Sequence, residues 1–456
     1  MSPDPANLSK SIQKLLDDAV SKGTAPGLVA TVFNKDILAS AQSGVASIKD
    51  KSQKFTLDTI IWPASAAKPF VSLLVLILVE KNGIDLDSHE ELVKFLPELG
   101  KDWPGTRIWK VIDGKDENGE YKYRDAKVGI TLRHLLTHSI GSSLHFNSEH
   151  GKKFYDESLK TGKTHMQGYI EAYNEPRAHE SGEAFGYGLS AEWLGVFVSR
   201  INKTSFRKAA QTLLFKPLNL PQDTIEVFRT PRMNEDLAEI VAKLPDGNFV
   251  SLPEPGFDTP QYEDMPPDGM SVLGNAPFWC SISTFTQGLQ ALLNKTAPPG
   301  GKPLISEQLW EEATTDDYKR RGVSIQQDPF MVTTEPTLST DLPKWSEIEE
   351  GADQTLGWNM FQQAVHRSKN AVGFRPNVVE WSGLANTYYF LDHERGIGCV
   401  ISTQFLPWGE KGMIDLKNEF FKLVFDYSSK QPGTERSKDT ETNGVEGLKV
   451  DGLKLA

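Results

Sequence analysis

The sequence predicts an α/β protein of the α+β type, in which both ends of the chain build one antiparallel sheet around an inserted, mostly helical region. Strand signals occur near the N-terminus and return only after residue 376, and helical patterns dominate between them. Such distant strands pack most economically as one sheet with the terminal helices on its faces. We therefore predict a discontinuous sheet domain of residues 1–62 and 278–428, a helical domain of residues 63–277 and a flexible tail of residues 429–456.

The N-terminal part of the sheet domain is predicted to be a helix followed by a hairpin. Apolar residues recur at helical spacing over residues 7–20, and Gly23 ends this pattern. Residues 28–33 and 37–41 are apolar runs separated by the turn residues 34–36, which is typical of a β-hairpin.

The C-terminal part supplies the remaining strands and a second packing helix. Short runs rich in β-formers cover residues 377–381, 386–392 and 396–403, with turn residues between them. Residues 413–427 then carry apolar side chains along one helical face. The helix is therefore expected to pack on the sheet, and a ligand site is expected in the cleft between the sheet and the helical region.

Composition and charge exclude several classes of function. The 456 residues include 49 Lys and Arg against 61 Asp and Glu, a net charge of −12, which argues against binding a nucleic-acid backbone. The two cysteines cannot form a disulfide framework. The N-terminus lacks the pattern of a secretory signal, and the longest apolar run, residues 70–79, is too short to span a bilayer. We therefore expect a cytosolic protein that contacts neither membrane nor nucleic acid.

The pattern Ser-x-x-Lys, which can pair a nucleophile with a base, begins at Ser11, Ser65 and Ser205, so the spacing alone is not specific. Only Ser65 directly precedes a strongly apolar helix, where free N–H groups favour a developing negative charge. Lys68 would enter that helix, and burial lowers a lysine's pKa and makes its amine a proton acceptor. The alternative is a capping serine with a lysine that extends to solvent.

Tyr187 is a second candidate, because glycines on both sides of it can hold its hydroxyl at a fixed point near a helix start. Close to a lysine, its phenolate would be stabilised and could act as a base. The alternative is a surface aromatic residue in a turn. His134 and His138 have the spacing of zinc ligands but lack the glutamate of the helical zinc motif, so we interpret them as structural.

In their order along the chain, these segments resemble the serine β-lactamase-like family, which includes class C β-lactamases, penicillin-binding proteins and many esterases. The stretch 130–139 and the segment 381–387 also resemble that family. The fungal transesterase branch of that family, typified by the lovastatin side-chain acyltransferase, is similar at two places: Tyr187 with Glu192-Trp193 and Gly195, and the segment 381–387. The resemblance covers residues 8–427 and implies a β-lactamase/transpeptidase-like fold.

The resemblance also implies roles for individual residues. Ser65 would be the acylated nucleophile, Lys68 its activating partner, and Tyr187 would share the acid–base work. The backbone N–H of Leu384, directly after Gly383, would form an oxyanion hole with that of Ser65. Such an arrangement is what a tetrahedral acyl intermediate needs.

The remaining predicted site residues concern the substrate. Trp381 stands where the family places a cation that would bind a β-lactam carboxylate, so penicillin hydrolysis is not expected. Trp408 is expected to wall an acyl pocket. An apolar acyl ester or thioester therefore fits better than a charged substrate.

We thus predict a serine acyl-enzyme catalyst of secondary metabolism, either an esterase or an acyltransferase. Its partners would be a small-molecule acyl donor, presented free or on a carrier protein, and an alcohol or amine acceptor; no metal or organic cofactor is expected. Two alternatives stay open at this point. One is an isomerase or cyclase that uses Tyr187 and Lys68 without acylation, and the other is a binding protein without catalysis.

Overall fold

The computed structural model describes residues 4–144, 148–221, 223–252, 274, 277–296, 301–322 and 356–430. Except for residues 429 and 430, the predicted flexible tail lies outside the described residues.

The helices of the described chain follow one another in this order: α1 Pro5–Ser21, α2 Lys68–Asn82, α3 His89–Val93, α4 Leu132–Leu136, α5 Glu149–Thr161, α6 Ser190–Asn202, α7 Phe206–Ala210, α8 Pro231–Glu235, α9 Ile282–Asn294, α10 Glu307–Thr314, α11 Asp317–Arg321 and α12 Lys411–Ser428. Short 3₁₀ turns cover Ala64–Ala67, Pro97–Leu99, His165–Gln167 and Ile170–Tyr173, and a π-helical turn, Gln211–Phe215, continues α7.

The strands are short apart from the first two: β1 Gly27–Phe33, β2 Ile37–Gly44, β3 Ile60–Ile61, β4 Lys110–Lys115, β5 Tyr121–Asp125, β6 Ile225–Glu226, β7 Val241–Lys243, β8 Phe249–Ser251, β9 Trp279–Ser281, β10 Leu356–Trp358, β11 Ala364–His366, β12 Val379–Gly383, β13 Thr387–Asp392, β14 Ile397–Ser402 and β15 Phe405–Leu406.

One antiparallel sheet joins the two ends of the chain, as predicted. Its seven strands have the order β10-β11-β12-β13-β14-β1-β2, so the N-terminal hairpin pairs with the C-terminal strands through β1 and β14. Every residue of β1 is buried, and its sequence is apolar apart from Thr31, whose hydroxyl is hydrogen-bonded to that of Thr286 at 3.1 Å. The predicted α+β class with a sheet built from both termini is confirmed.

The alternation of side chains along β13 divides the core between the two faces of the sheet. Phe390 stacks on Phe425 of α12 with ring centroids 4.4 Å apart, within the core that α1 and α12 share. Tyr389 faces the opposite core, where it meets Phe285 of α9 at 6.2 Å. That second core continues through α2 and α6, so the sheet and the inserted helices share one apolar interior.

The inserted region is less purely helical than the sequence predicts. It contains the hairpin β4–β5 and the strands β6, β7 and β8. Three-stranded sheets form in the orders β3-β9-β6 and β15-β7-β8. The predicted domain boundaries stay a prediction. No helix in the described ranges is long and apolar enough to cross a membrane.

Candidate active site

Ser65 lies in a tight turn at the junction of the sheet and the helical region. The prediction placed it at the start of the buried helix; the structure places it one step earlier, in the 3₁₀ turn Ala64–Ala67, and α2 begins at Lys68. Ala64 has φ +49°, a conformation that L residues rarely adopt and that often marks functional turns. The turn therefore places Ser65 at the edge of the core.

Lys68 is carried into the interior because α2 is apolar on all sides. Its side chain is 1% exposed, and its Nζ lies 2.9 Å from the Ser65 Oγ. Burial lowers the pKa of Lys68 from its ordinary value to about 7, against the opposing effect of the Glu192 carboxylate. A substantial fraction of the amine is therefore neutral near pH 7 and able to accept the hydroxyl proton of Ser65.

Tyr187 meets the same serine from the other side. Its hydroxyl donates to the Ser65 Oγ at 2.8 Å, and the Lys68 Nζ lies 4.9 Å from the centre of its ring. Burial raises the pKa of Tyr187 well above its ordinary value. Burial thus opposes the phenolate expected from the sequence, and in the structure the hydroxyl donates.

The two glycines around Tyr187 are explained by a close backbone contact. A Cβ on Gly188 would lie 2.3 Å from the Ser142 Oγ, and one on Gly186 would lie 2.7 Å from the Ser142 carbonyl oxygen. The Leu144 N–H donates to the Tyr187 carbonyl at 3.0 Å, which fixes the two segments side by side. The surface-turn interpretation of this tyrosine is thereby excluded.

Gly383 brings the end of β12 against the serine turn. A Cβ at this position would lie 2.0 Å from the Pro63 carbonyl oxygen, so only glycine permits the observed approach. The N–H of Leu384, the next residue, thus lies beside the turn that carries Ser65. Within the described part of the chain, the N–H groups of Ser65 and Leu384 donate no hydrogen bond to another residue. We therefore expect both N–H groups to be open to a ligand.

An aromatic wall, formed by His138, Phe185, Tyr187, Trp358 and Trp381, borders the three polar groups. Ring centroids lie 5.5 Å apart for Tyr187 and Trp381, 4.7 Å for Trp381 and Trp358, and 4.6 Å for Trp358 and Phe185. His138 packs on Tyr187 at 4.8 Å. Sequence reasoning placed Trp381 and Tyr187 here but missed His138, Phe185 and Trp358. His138 and Phe185 could have been inferred, because they lie next to segments predicted to form the site; no sequence signal indicated Trp358.

Trp408 is connected to the site by a hydrogen bond to Ser382 and not by a contact with Ser65. Its indole N–H donates to the Ser382 Oγ at 3.1 Å, next to Trp381 and Gly383 on β12. Leu384 is 39% exposed, and Trp381 and Trp408 are half-buried. The predicted role of Trp408 in walling an acyl pocket stays a prediction.

The histidine pair does not form a metal site. His134 caps its own helix by accepting from the Thr131 N–H, whereas His138 turns into the aromatic wall with φ +50°. Among the residues that the structure describes, no group of three or more His, Cys, Asp or Glu side chains could hold a metal ion.

Replacing Gly383 with alanine is expected to lower kcat about 100- to 1,000-fold, the usual cost of losing one oxyanion-hole donor. The new methyl group would meet the Pro63 carbonyl oxygen and push the Leu384 N–H away from the serine turn. The measurement is steady-state hydrolysis of an aryl ester. Gly412→Ala is the matched control, because its Cβ would meet only the flexible ends of side chains, the nearest at 3.1 Å. Equal kcat values for both variants would contradict a role for this N–H.

The chain is similar to known proteins over most of its length. A family model described as Beta-lactamase matches residues 12–235. The acyltransferase CalJ of Penicillium decumbens is 23% identical, with 84% of each chain covered. The esterase EstB of Burkholderia gladioli is 22% identical, over 91% of this chain and 94% of that protein.

The fold comparison points the same way. The structure of simvastatin synthase from Aspergillus terreus superimposes with a TM-score of 0.71 at 18% identity, over 94% of this chain and 100% of that one. The resemblance predicted from the motifs is confirmed: the chain is similar to the Beta-lactamase family over residues 12–235, to fungal acyltransferases and to a bacterial esterase.

Proposed function

We propose that this protein is a serine acyl-enzyme catalyst, an esterase or acyltransferase that acts on an apolar acyl ester or thioester. The observation that carries the proposal is the pair of contacts at the Ser65 Oγ, 2.9 Å from the Lys68 Nζ and 2.8 Å from the Tyr187 hydroxyl. A serine held between a buried amine and a phenol has both a proton acceptor and a proton donor within reach.

In the acylation step, the Ser65 Oγ attacks the acyl carbon while its proton passes to the neutral amine of Lys68. The carbonyl oxygen becomes an oxyanion that accepts from the N–H groups of Ser65 and Leu384. Tyr187 donates its proton to the leaving oxygen or sulfur, and the Lys68 ammonium restores the proton to the phenol. The C–O or C–S bond then breaks, and the acyl group stays on Ser65 as an ester.

The second half-reaction repeats these steps with water or another nucleophile. Lys68 accepts the proton of the attacking O–H or N–H as the new bond to the acyl carbon forms, and a tetrahedral intermediate forms again. The bond from the acyl carbon to the Ser65 Oγ then breaks, and the Lys68 ammonium returns its proton to that oxygen. Water gives an esterase, whereas an alcohol or amine acceptor gives an acyltransferase. The similarity to CalJ and to simvastatin synthase supports acyl transfer in secondary metabolism, and that to EstB supports hydrolysis.

The aromatic wall supports an apolar acyl group. Trp381 occupies the strand position next to the serine turn, with Leu384 exposed at the strand end. A flat indole contacts hydrocarbon favourably and cannot form an ion pair with a carboxylate. A small-molecule donor suffices for this chemistry; a carrier-bound thioester donor and a cytosolic location belong to the proposal as well.

A fluorophosphonate probe tests the proposal, because it reacts covalently with activated serines. The expected result is one adduct per chain, assigned to Ser65 by peptide mass mapping, and a matching acyl adduct from a p-nitrophenyl ester. Labelling at another residue, or no labelling, would contradict the proposal that the reaction passes through an acyl-enzyme on Ser65. Activity that survives in Ser65→Ala but not in Tyr187→Phe would instead favour an isomerase or cyclase.

A further inference from the structure

Glu192 is a buried carboxylate beside the predicted base that the mechanism above does not use. It lies in the first turn of α6, and its side chain is 0% exposed. Acidic residues are common at helix starts, where the dipole favours them, but they are rarely buried completely. Helix α6 packs directly against α2, the helix that begins at Lys68.

The groups that face Lys68 have opposite electrostatic effects. Burial disfavours the ammonium. The Tyr187 phenol and the His138 imidazole, which lie nearby, are neutral groups that bring no negative charge to it. The Glu192 carboxylate favours the ammonium and also interacts with the hydroxyls of Tyr187 and Tyr173. Among the described residues, Glu192 is therefore the negative charge that acts on this lysine.

The proposed acylation step creates a charge that this arrangement would balance. When the Ser65 proton reaches the Lys68 amine, an ammonium forms in a site that is 1% exposed, where water cannot solvate it. A carboxylate fixed nearby stabilises that ammonium without any reorganisation during the reaction.

We infer that Glu192 is a positioning residue that acts as the buried counter-charge of Lys68 and stabilises its protonated form during acylation of Ser65. The inference rests on the proposed function. It also gives a reason for a fully buried acid on α6 that packing alone does not supply.

The test measures the rate constant of Ser65 phosphonylation by a fluorophosphonate between pH 5 and 10, which needs no knowledge of the substrate. Glu192→Gln removes the charge and keeps the shape. Because the carboxylate raises the pKa of Lys68, its loss should move the midpoint of the pH profile down by about one unit or more. The plateau rate should also fall, since a less basic amine accepts a proton less readily.

Two further variants separate electrostatics from structure. Glu192→Asp keeps the charge and should retain the wild-type midpoint. Glu226→Gln is the matched control, because Glu226 is also buried but forms its ion pair with Arg207, 3.1 Å away. It should keep the wild-type midpoint whatever it does to stability.

Each result of this test either supports or overturns the role of Glu192. A downward shift in Glu192→Gln alone supports the inference; an unchanged midpoint, or a uniform loss of rate at every pH, overturns it. If circular dichroism shows that Glu192→Gln is unfolded, the apolar variant Glu192→Met is measured with the same expectation. Failure to label Ser65 in the wild-type protein would overturn the proposed function itself, whereas normal labelling with an unshifted variant overturns only the role of Glu192.

Discussion

Ser65→Ala is expected to lower kcat/KM for an aryl ester at least about 10,000-fold, because the acyl-enzyme can no longer form. The Lys68 amine and the Tyr187 hydroxyl would lose their shared partner at the Ser65 Oγ, so stability should change by only ~1–3 kcal/mol. Ester hydrolysis followed at 405 nm, together with the intact mass of the protein after incubation with the ester, measures both the rate and the acyl adduct.

Ser11→Ala is the matched control for this variant. Ser11 begins another Ser-x-x-Lys pattern, but it is exposed on α1 and donates to the Asn7 carbonyl within its own helix. It should therefore keep full activity. Turnover by Ser65→Ala above about one thousandth of the wild-type rate would show that the reaction does not pass through this serine.

The contrast between these serines shows what could be predicted from the sequence. The Ser-x-x-Lys pattern is the same at Ser11 and at Ser65, so the spacing does not distinguish them. Only the apolar run after Ser65 indicated that Lys68 would be buried. The hairpin β1–β2 and the strands β12 to β14 were also predictable, since runs rich in apolar or β-forming residues are separated there by turn residues. Strong local patterns thus defined the fold class and the chain positions of the catalytic candidates.

Other features depend on contacts between distant residues and left no local pattern. Strands β10 and β11 have three residues each, too few for any periodicity to be recognised. Trp358 reaches the site only because β10 is added at the edge of the sheet, next to β11 and then β12. The burial of Tyr187, which raises the pKa of its hydroxyl, is likewise a tertiary property with no local sequence pattern.

Lys68→Met is expected to lower kcat by about 100- to 10,000-fold, because it removes the proposed general base while nearly conserving the volume of the side chain. Lys81→Met is the matched control on the same helix. Lys81 is exposed in the last turn of α2, so its replacement should leave both activity and stability within experimental error.

The same variant should make the protein more stable, which distinguishes a functional lysine from a structural one. In the folded protein the pKa of Lys68 is lowered from 10.5 to about 7, so the folded state holds its proton less tightly than the unfolded chain does. Below pH 7 this difference destabilises the wild-type protein by at most about 5 kcal/mol, and the effect fades as the pH rises towards 10.5. Urea unfolding at pH 6 and pH 10 should therefore show Lys68→Met gaining stability over the wild type mainly at pH 6. A variant that is less stable than the wild type at pH 6 would mean that Lys68 is a structural cation, held charged by partners such as Glu192, and the proposed base would have to be sought elsewhere.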